Sequence, residues 1–475
     1  MKRIFALASI LLVAASCRAA DPDVLLNEDF SRVAAKLPRG WSADGDAWRV
    51  VDGQLRVEAL DGETRIVAGK PDWENYEITV TATFDQVQNN SRWLAVVFRS
   101  EAAGKTPWSQ FCLRLGCSQR NGAEFAVRTN DRRWTVRGAA RLKEDCQLGV
   151  PRQLRVVVRG TDVEMFIDGR RVLENAYCVD RETGRVGLAA SGCVARFDDF
   201  VVRRLPSSTR LSEMPLKPCQ MIAHRGYSAV APENTLASID HAMRAGACAA
   251  ECDVRISKDG HIVAMHDATV DRTTNGKGNV AELTLAELRE LDAGSWKNQK
   301  FAGERVPTLD EILAKHKGSG CLAVIEIKVE GITQRVIQAI RDADMLDEAA
   351  IISFNAAVVR EAREIEPRLP SAWLCGEQLK GTPSERADWL AGKAAEYKTD
   401  TLDLGYSMLS REVVAELKQR NIVIWAYTVN DPTVMEALMR WGVDGITTDR
   451  PDLAAAMRKK ATAKIGMVGD KRPER

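Results

Sequence analysis

From residue 219 onward, short apolar runs rich in β-branched residues alternate with amphipathic helical stretches. No other feature constrains the fold of this chain as strongly. Strands buried on both faces read as near-continuous apolar runs, and joining them through helices makes them parallel. Eight such runs are present, at 219–224, 249–255, 321–328, 349–354, 370–375, 401–405, 422–429 and 445–449. Helical spacing is clear between them at Arg335–Ala343, Val358–Glu366 and Arg411–Arg420. Eight strand–helix pairs in about 240 residues predict a closed (β/α)8 barrel, a fold whose chemistry gathers at the carboxyl ends of its strands.

The first half has a different texture. From Val24 to Leu205, runs rich in Val, Ile, Phe and Trp alternate with turn residues, and no helical period of useful length intervenes. Trp48–Val57 reads as a hairpin on the Asp52-Gly53 turn, and Tyr76–Phe84, Leu154–Val158 and Val163–Ile167 alternate as half-buried strands do. A β-sandwich over 24–205 is expected, followed by a Pro- and Ser-bearing linker at 206–218, the barrel domain at 219–460 and a polar tail at 461–475. The phrases Leu26–Phe30, Gly184–Leu188 and Phe197–Val202 resemble those of concanavalin-like and laminin-G-like jelly-roll domains. That resemblance implies a fold rather than an activity. Trp41, Trp48, Trp73, Trp93, Trp108 and Trp134 then read mainly as core and rim, with sugar stacking and a glycan or cell-surface ligand as the alternative.

Lys2 and Arg3 precede an apolar run from Ile4 to Ala15, then small residues and Cys17, so residues 1–20 read as a secretory signal. Val13–Cys17 resembles a bacterial lipobox with Ala14 where Leu is usual, which would make Cys17 a lipid anchor; cleavage after Ala19 is the competitor. The expected location is outside the cytoplasm, in the periplasm or on the outer membrane, with membrane contact only through such an anchor. The 11 cysteines contain no CxxC spacing, which argues against a structural zinc site. Cys112 and Cys117 are close enough in sequence to pair across a turn. A formal charge of +1 gives no reason to expect nucleic acid as a partner.

The barrel half carries the chemistry. His224 and Arg225 end the first run, where Gly226 permits a sharp turn. An acid/base group beside a permanent cation suits phosphoryl chemistry, because Arg can clamp a phosphate through two hydrogen bonds. In Ala249–Val254 the strand period puts Glu251 and Asp253 on one face and Cys252 on the other. Ile325–Lys328 repeats the device with Glu326 and Lys328, and Ile262–Asp267 is a short strand delivering His266. Carboxylates inside apolar strands are costly unless paired or bound to metal. Three at adjacent strand ends make an oxygen-rich pocket suited to a hard divalent cation, Ca2+ or Mg2+. The remaining histidines, His261 in an Asp-Gly turn and His241 and His316 on helices, read as surface residues.

With these residues stand Pro232–Thr235, Thr269 with Asp271–Gly276, Val306–Leu309, Trp425 with Thr428–Asn430, and Gly442–Pro451. Taken in order, the phrases from Cys219 to about Met457 resemble the glycerophosphodiester phosphodiesterase family, metal-dependent hydrolases built on a TIM barrel. The resemblance implies that Glu251, Asp253 and Glu326 hold the metal, that His224 and His266 are the general acid and base, and that Arg225 and Lys328 contact phosphate. It further implies a small insertion at 271–310, Trp425 at the end of the seventh strand walling the glycerol side, and Glu233 supporting the metal site. Asn234 and Thr235 read as loop and helix-start residues. The expected activity is hydrolysis of small glycerophosphodiesters to glycerol 3-phosphate and an alcohol. The alternatives are a lysophospholipase D or phosphoinositide-type diesterase using the same residues, and a glycan-binding surface protein with a vestigial barrel.

Overall fold

Residues 21–31, 36–130, 133–177, 180–207, 209–377, 379–453 and Met457 are described by a computed structural model. The signal segment 1–20 with Cys17 and the tail 461–475 lie outside these residues. The chain divides into two units, with the main break in sequence between residues 208 and 209.

The second unit contains eight parallel strands: β1 (Gln220–Ala223), β2 (Ala249–Ile256), β3 (Leu322–Ile327), β4 (Ala349–Ser353), β5 (Ser371–Cys375), β6 (Thr401–Gly405), β7 (Val423–Tyr427) and β8 (Gly445–Thr448). They pair in sequence order, and β1 pairs with both β2 and β8, which closes the barrel. The short strand Ile262–Ala264 pairs antiparallel with β2 and so carries the following residues back to the barrel mouth. Helices at Thr333–Asp342, Ala356–Ile365 and Arg411–Gln419 lie where helical spacing was read, each within two residues at either end.

Alternation along the strands sorts the side chains. Ile222, Ala249, Val324, Ala350, Ile352, Ala372, Leu374 and Trp425 fill the barrel interior. Cys252, Val254, Ile325 and Ile327 pack outward on Ile312, Val336, Ile337 and Ile340. Glu251, Asp253 and Glu326 have the parity of the interior residues on their strands. Between the short strand and the helix Leu309–His316, the chain folds around a small cluster that includes Val270, Val280, Leu288 and Val306. That helix corrects one expectation. Leu309, Ile312, Leu313 and His316 form its buried stripe, and His316 is fully buried with Nδ1–H donating to the Cys321 carbonyl at 2.8 Å. His241 is half-buried and edge-on to Phe301, and His261 is exposed.

Among the described residues the first unit contains thirteen strands, antiparallel in every pairing described, and no helix precedes Leu211. Its axis is the 20-residue strand Arg185–Arg204, which pairs with Val24–Glu28, Gln54–Ala68, Tyr76–Val87 and Trp93–Ser100 and bends at bulges between Ser191 and Cys193 and between Asp198 and Val201. Trp41, Trp48 and Trp108 are buried, Trp41 edge-on to Phe200 at 5.2 Å and Trp134 edge-on to Trp108 at 5.7 Å. Trp93 packs on Trp134, and Trp73 lies over Gly69. These contacts match the core-and-rim reading of the six tryptophans. The expected neighbour pair Cys112–Cys117 is not formed. Cys112 lies inside the strand Trp108–Arg114, where its sulfur accepts from Gln110 Nε2, and Cys117 faces Cys146 instead.

Candidate active site at the mouth of the barrel

The chain leaves β1 directly into His224-Arg225-Gly226. Arg225 and Gly226 have φ values of 54° and 75°, the left-handed turn that glycine favours. A Cβ on Gly226 would stand 2.3 Å from Ser238 Oγ, so no larger residue fits against the helix Leu236–Arg244. This turn aims the Arg225 backbone N–H at Glu251 Oε2, 2.7 Å away. Ser238 Oγ in turn donates to the Arg225 carbonyl. Asn234, with a φ of 58°, is more than the loop residue expected from sequence: it is 4 % exposed, its Nδ2 donates to Asp253 Oδ2 at 2.8 Å, and its Oδ1 accepts from the Asp253 N–H.

Glu251, Asp253 and Glu326 are 2 %, 1 % and 8 % exposed. They present oxygens within 4.8 Å of one another, the one group among the described residues arranged to hold a metal ion. Burial first, then the charges of Asp253 and Glu326, pushes the Glu251 carboxyl well above the usual carboxylate range. Glu326 is pushed up to about 7, by burial and then by Asp253. Burial would raise Asp253 as well, but the positive charges of Lys328 and Arg225 outweigh it and hold that carboxyl low. Glu251 Oε1 is buried without a hydrogen-bond partner. A divalent cation fits such a place: it would take up the unmet oxygen and relieve the mutual repulsion.

Two cations flank the cluster. Lys328 Nζ lies 2.6 Å from Glu326 Oε1 and 3.3 Å from Asp253 Oδ1, and Arg225 Nε lies 3.3 Å from Asp253 Oδ2. Glu233, expected to support the metal site, meets it through Arg225, whose Nε lies 3.3 Å from Asp253 Oδ2. It accepts from Arg225 Nη1 at 2.8 Å and, through both oxygens, from Arg272. It therefore orients the cations and not the acids.

The two histidines at the mouth each have Nδ1 held by a carboxylate. His224 Nδ1 is 2.7 Å from Asp449 Oδ1, and Asp449 also accepts from Ser228 Oγ and Asn430 Nδ2. His266 Nδ1 is 2.7 Å from Asp267 Oδ1, and Arg272 ties Asp267 to Glu233. With Nδ1–H donated in this way, Nε2 of each ring is the nitrogen presented for proton transfer. Burial, helped by the charges of Arg225 and Lys328, keeps the pKa of His266 below the ordinary 6.5. Hydrogen bonds from Arg272 and His266 hold Asp267 well below the usual range despite partial burial. Asp267, Arg272, Asn430 and Asp449 all stood inside the motif phrases. Their roles come from contacts such as His224–Asp449, 225 residues apart, which no local pattern reveals.

The walls of the mouth also differ from expectation. Trp425 sits mid-strand in β7, 8 % exposed, as part of the interior packing. The residue at the strand end is Tyr427, one pleat nearer the mouth, edge-on at 5.8 Å to Phe354, which follows β4 and is 52 % exposed. Lys328 Nζ lies 5.9 Å over the Phe354 ring. Beside His224 a cavity of about 470 Å³ is lined by Arg225, Ser228, Lys297, Asn430 and Arg450. Beneath the site on β6, Asp403 is 1 % exposed with both carboxyl oxygens unpartnered, and burial followed by the Glu326 charge drives its pKa far up.

Barrel and mouth together define an enzyme arranged for phosphoryl chemistry. The chain belongs to the glycerophosphoryl diester phosphodiesterase family, whose model matches residues 224–453. It is 37 % identical over 247 residues to the glycerophosphodiester phosphodiesterase of Caldanaerobacter subterraneus subsp. tengcongensis, covering 50 % of this chain and 98 % of that protein. It is 32 % identical over 258 residues to the glycerophosphodiester phosphodiesterase of Bacillus subtilis, covering 50 % and 86 %. Among solved structures it is similar to an Oleispira antarctica phosphodiesterase in complex with the product sn-glycerol-3-phosphate, with 30 % identity, coverage of 53 % and 98 %, and a TM-score of 0.45. The chain is therefore a phosphoric diester hydrolase. The family is generally dependent on a divalent metal, and the buried acidic cluster is of the kind such an ion requires.

Proposed function

We propose that this chain is an exported, metal-dependent phosphodiesterase that hydrolyses glycerophosphodiesters to glycerol 3-phosphate and an alcohol. The observation that carries this reading is the unmet Glu251 Oε1 within three crowded, buried carboxylates, with Arg225 and Lys328 alongside. Glu251, Asp253 and Glu326 would hold Ca2+ or Mg2+, both of which favour oxygen ligands. When bound, the cation would offset charge developing on the phosphoryl oxygens. Arg225 and Lys328 clamp the other phosphate oxygens, with Glu233 fixing the angle of the guanidinium.

His224 and His266 share the proton transfers through Nε2. One takes a proton from the attacking hydroxyl, the other donates to the departing alkoxide, and each transfer is worth roughly 10²–10⁴ in rate. Asp449 and Asp267 hold the rings in the required tautomer and stabilise the imidazolium that forms. Tyr427 and Phe354, in the place assigned from sequence to Trp425, would form the apolar side of the mouth against which carbon atoms of the substrate pack.

Residues 1–20 would direct export, with Cys17 as a lipid anchor on the periplasmic or outer-membrane side. Residues 24–205 would be a concanavalin-like sandwich that brings the barrel to a glycan or another cell-surface ligand. The test is release of glycerol 3-phosphate from glycerophosphocholine and glycerophosphoethanolamine. Release abolished by EDTA and restored by Ca2+ or Mg2+ is expected. Turnover indifferent to EDTA would remove the metal, and no turnover by folded, metal-loaded protein would remove the substrate class.

A further inference from the structure

Two short segments of the first unit, around Cys117 and Cys146, run side by side and are fastened from both directions. The Leu142 N–H donates to the Cys117 carbonyl at 2.7 Å, the Cys146 N–H to the Leu115 carbonyl at 2.9 Å, and the Ser118 N–H to Asp145 Oδ1 at 2.9 Å. Gly122 presses on the same turn: a Cβ there would lie 2.1 Å from the Cys117 carbonyl oxygen, so the turn is built around the cysteine. Both thiols are buried, at 0 % and 6 % exposure, and their sulfurs are 3.2 Å apart. Two sulfurs so close, on a backbone already locked in register, are placed for a disulfide.

From this placement we infer that Cys117 and Cys146 are a disulfide site, joined when the folding chain meets a disulfide oxidant such as oxidised glutathione or a thiol–disulfide exchange protein. The Cys117 thiolate attacks the oxidant's disulfide, forms a mixed disulfide and releases one thiol. The Cys146 thiolate then attacks the Cys117 sulfur, forms the internal bond and releases the second. Two protein thiols and one oxidant disulfide become one protein disulfide and two oxidant thiols, so atoms and electrons balance. The bond would join cysteines 29 positions apart and tie the turn before the strand Ala123–Arg128 to the segment leading into Arg152–Arg159. This inference is independent of the chemistry at the barrel.

The test uses the full chain, refolded from denaturant in a buffer of oxidised and reduced glutathione, alkylated under denaturing conditions and digested with trypsin without reduction. Cleavage yields Leu115–Arg120 and Glu144–Arg152, each holding a single cysteine. The expected product is these two peptides joined, two hydrogens lighter than their sum and separated by dithiothreitol. Dithiothreitol should also lower the melting midpoint of this unit by roughly 5–10 °C. A Cys117→Ser chain should melt at the lower midpoint and not respond to dithiothreitol. Recovery of both peptides singly alkylated after oxidation would overturn the inference, as would partnering of either cysteine with a different peptide.

Discussion

Both units bury charge, and they do so in opposite ways. In the first unit Arg65, 1 % exposed, donates to Ser100 Oγ and to the carbonyls of Ala102 and Lys105, lies 3.4 Å from Asp44, and stacks 3.8 Å over Trp108. Its charge is met by acceptors and a ring face that the chain itself supplies. In the barrel, Glu251, Asp253, Glu326 and Asp403 carry or would carry the same sign. Oxygens of Glu251 and Asp403 have no donor, and burial and repulsion drive several of these carboxyls upward in pKa. The first arrangement is met almost wholly from within the chain, Arg65 Nε having only Asp44 at 3.4 Å; the second would be relieved by a cation from outside it. One is structural, the other is a site.

Substitutions separate the two most sharply. Glu326→Ala is expected to cost at least about 10³-fold in kcat/KM, because it removes a proposed metal ligand, while leaving the melting midpoint of the metal-free protein unchanged or higher. Arg65→Ala is expected to do the reverse, destabilising its unit by about 2–3 kcal/mol with kcat/KM unchanged. Steady-state kinetics and calorimetry on both variants check this. A stability loss in the first, or a kinetic loss in the second, would break the contrast.

A smaller effect concerns pH. The folded Glu326 pKa is about 7, above the unfolded value near 4.3, so between these values the folded state holds the proton more tightly. Its contribution therefore makes metal-free protein less stable as pH rises through that window. Bound cation should cancel the trend, so the gap between the melting midpoints of loaded and stripped protein widens from pH 5 to pH 8. Parallel profiles would contradict it. The smallest effect is on rate. Because burial and neighbouring cations hold His266 below 6.5, the acid limb it would contribute to kcat/KM as a proton-transfer group should fall below that pH, and a limb above 6.5 would count against that role for the neutral imidazole.

The parts of the site that sequence makes legible are those written in the period of a strand. Glu251, Asp253 and Glu326 alternate with residues of the outward core, and that alone puts them in the barrel. His316 is equally legible, being one turn beyond Ile312 and Leu313, but nothing local in the sequence shows that its Nδ1–H finds the Cys321 carbonyl. Trp425 stands two residues before the end of β7, with its side chain in the interior packing, so the place at the mouth falls to Tyr427. Asp449 on His224, Arg272 bridging Asp267 and Glu233, and Cys146 facing Cys117 depend on where distant loops meet. Spacing in sequence suggested Cys112 for Cys117, but Cys112 sits within a strand, its sulfur bonded to Gln110.

The most direct measurement is a titration of Ca2+ or Mg2+ into stripped protein, following the melting midpoint and the release of glycerol 3-phosphate from glycerophosphocholine in the same samples. Both should rise and saturate together in the wild-type chain, and both responses should vanish in Glu251→Gln. Release that persists without metal, or a Glu251→Gln protein that responds as the wild type does, would contradict the assignment of the buried carboxylates as the metal site.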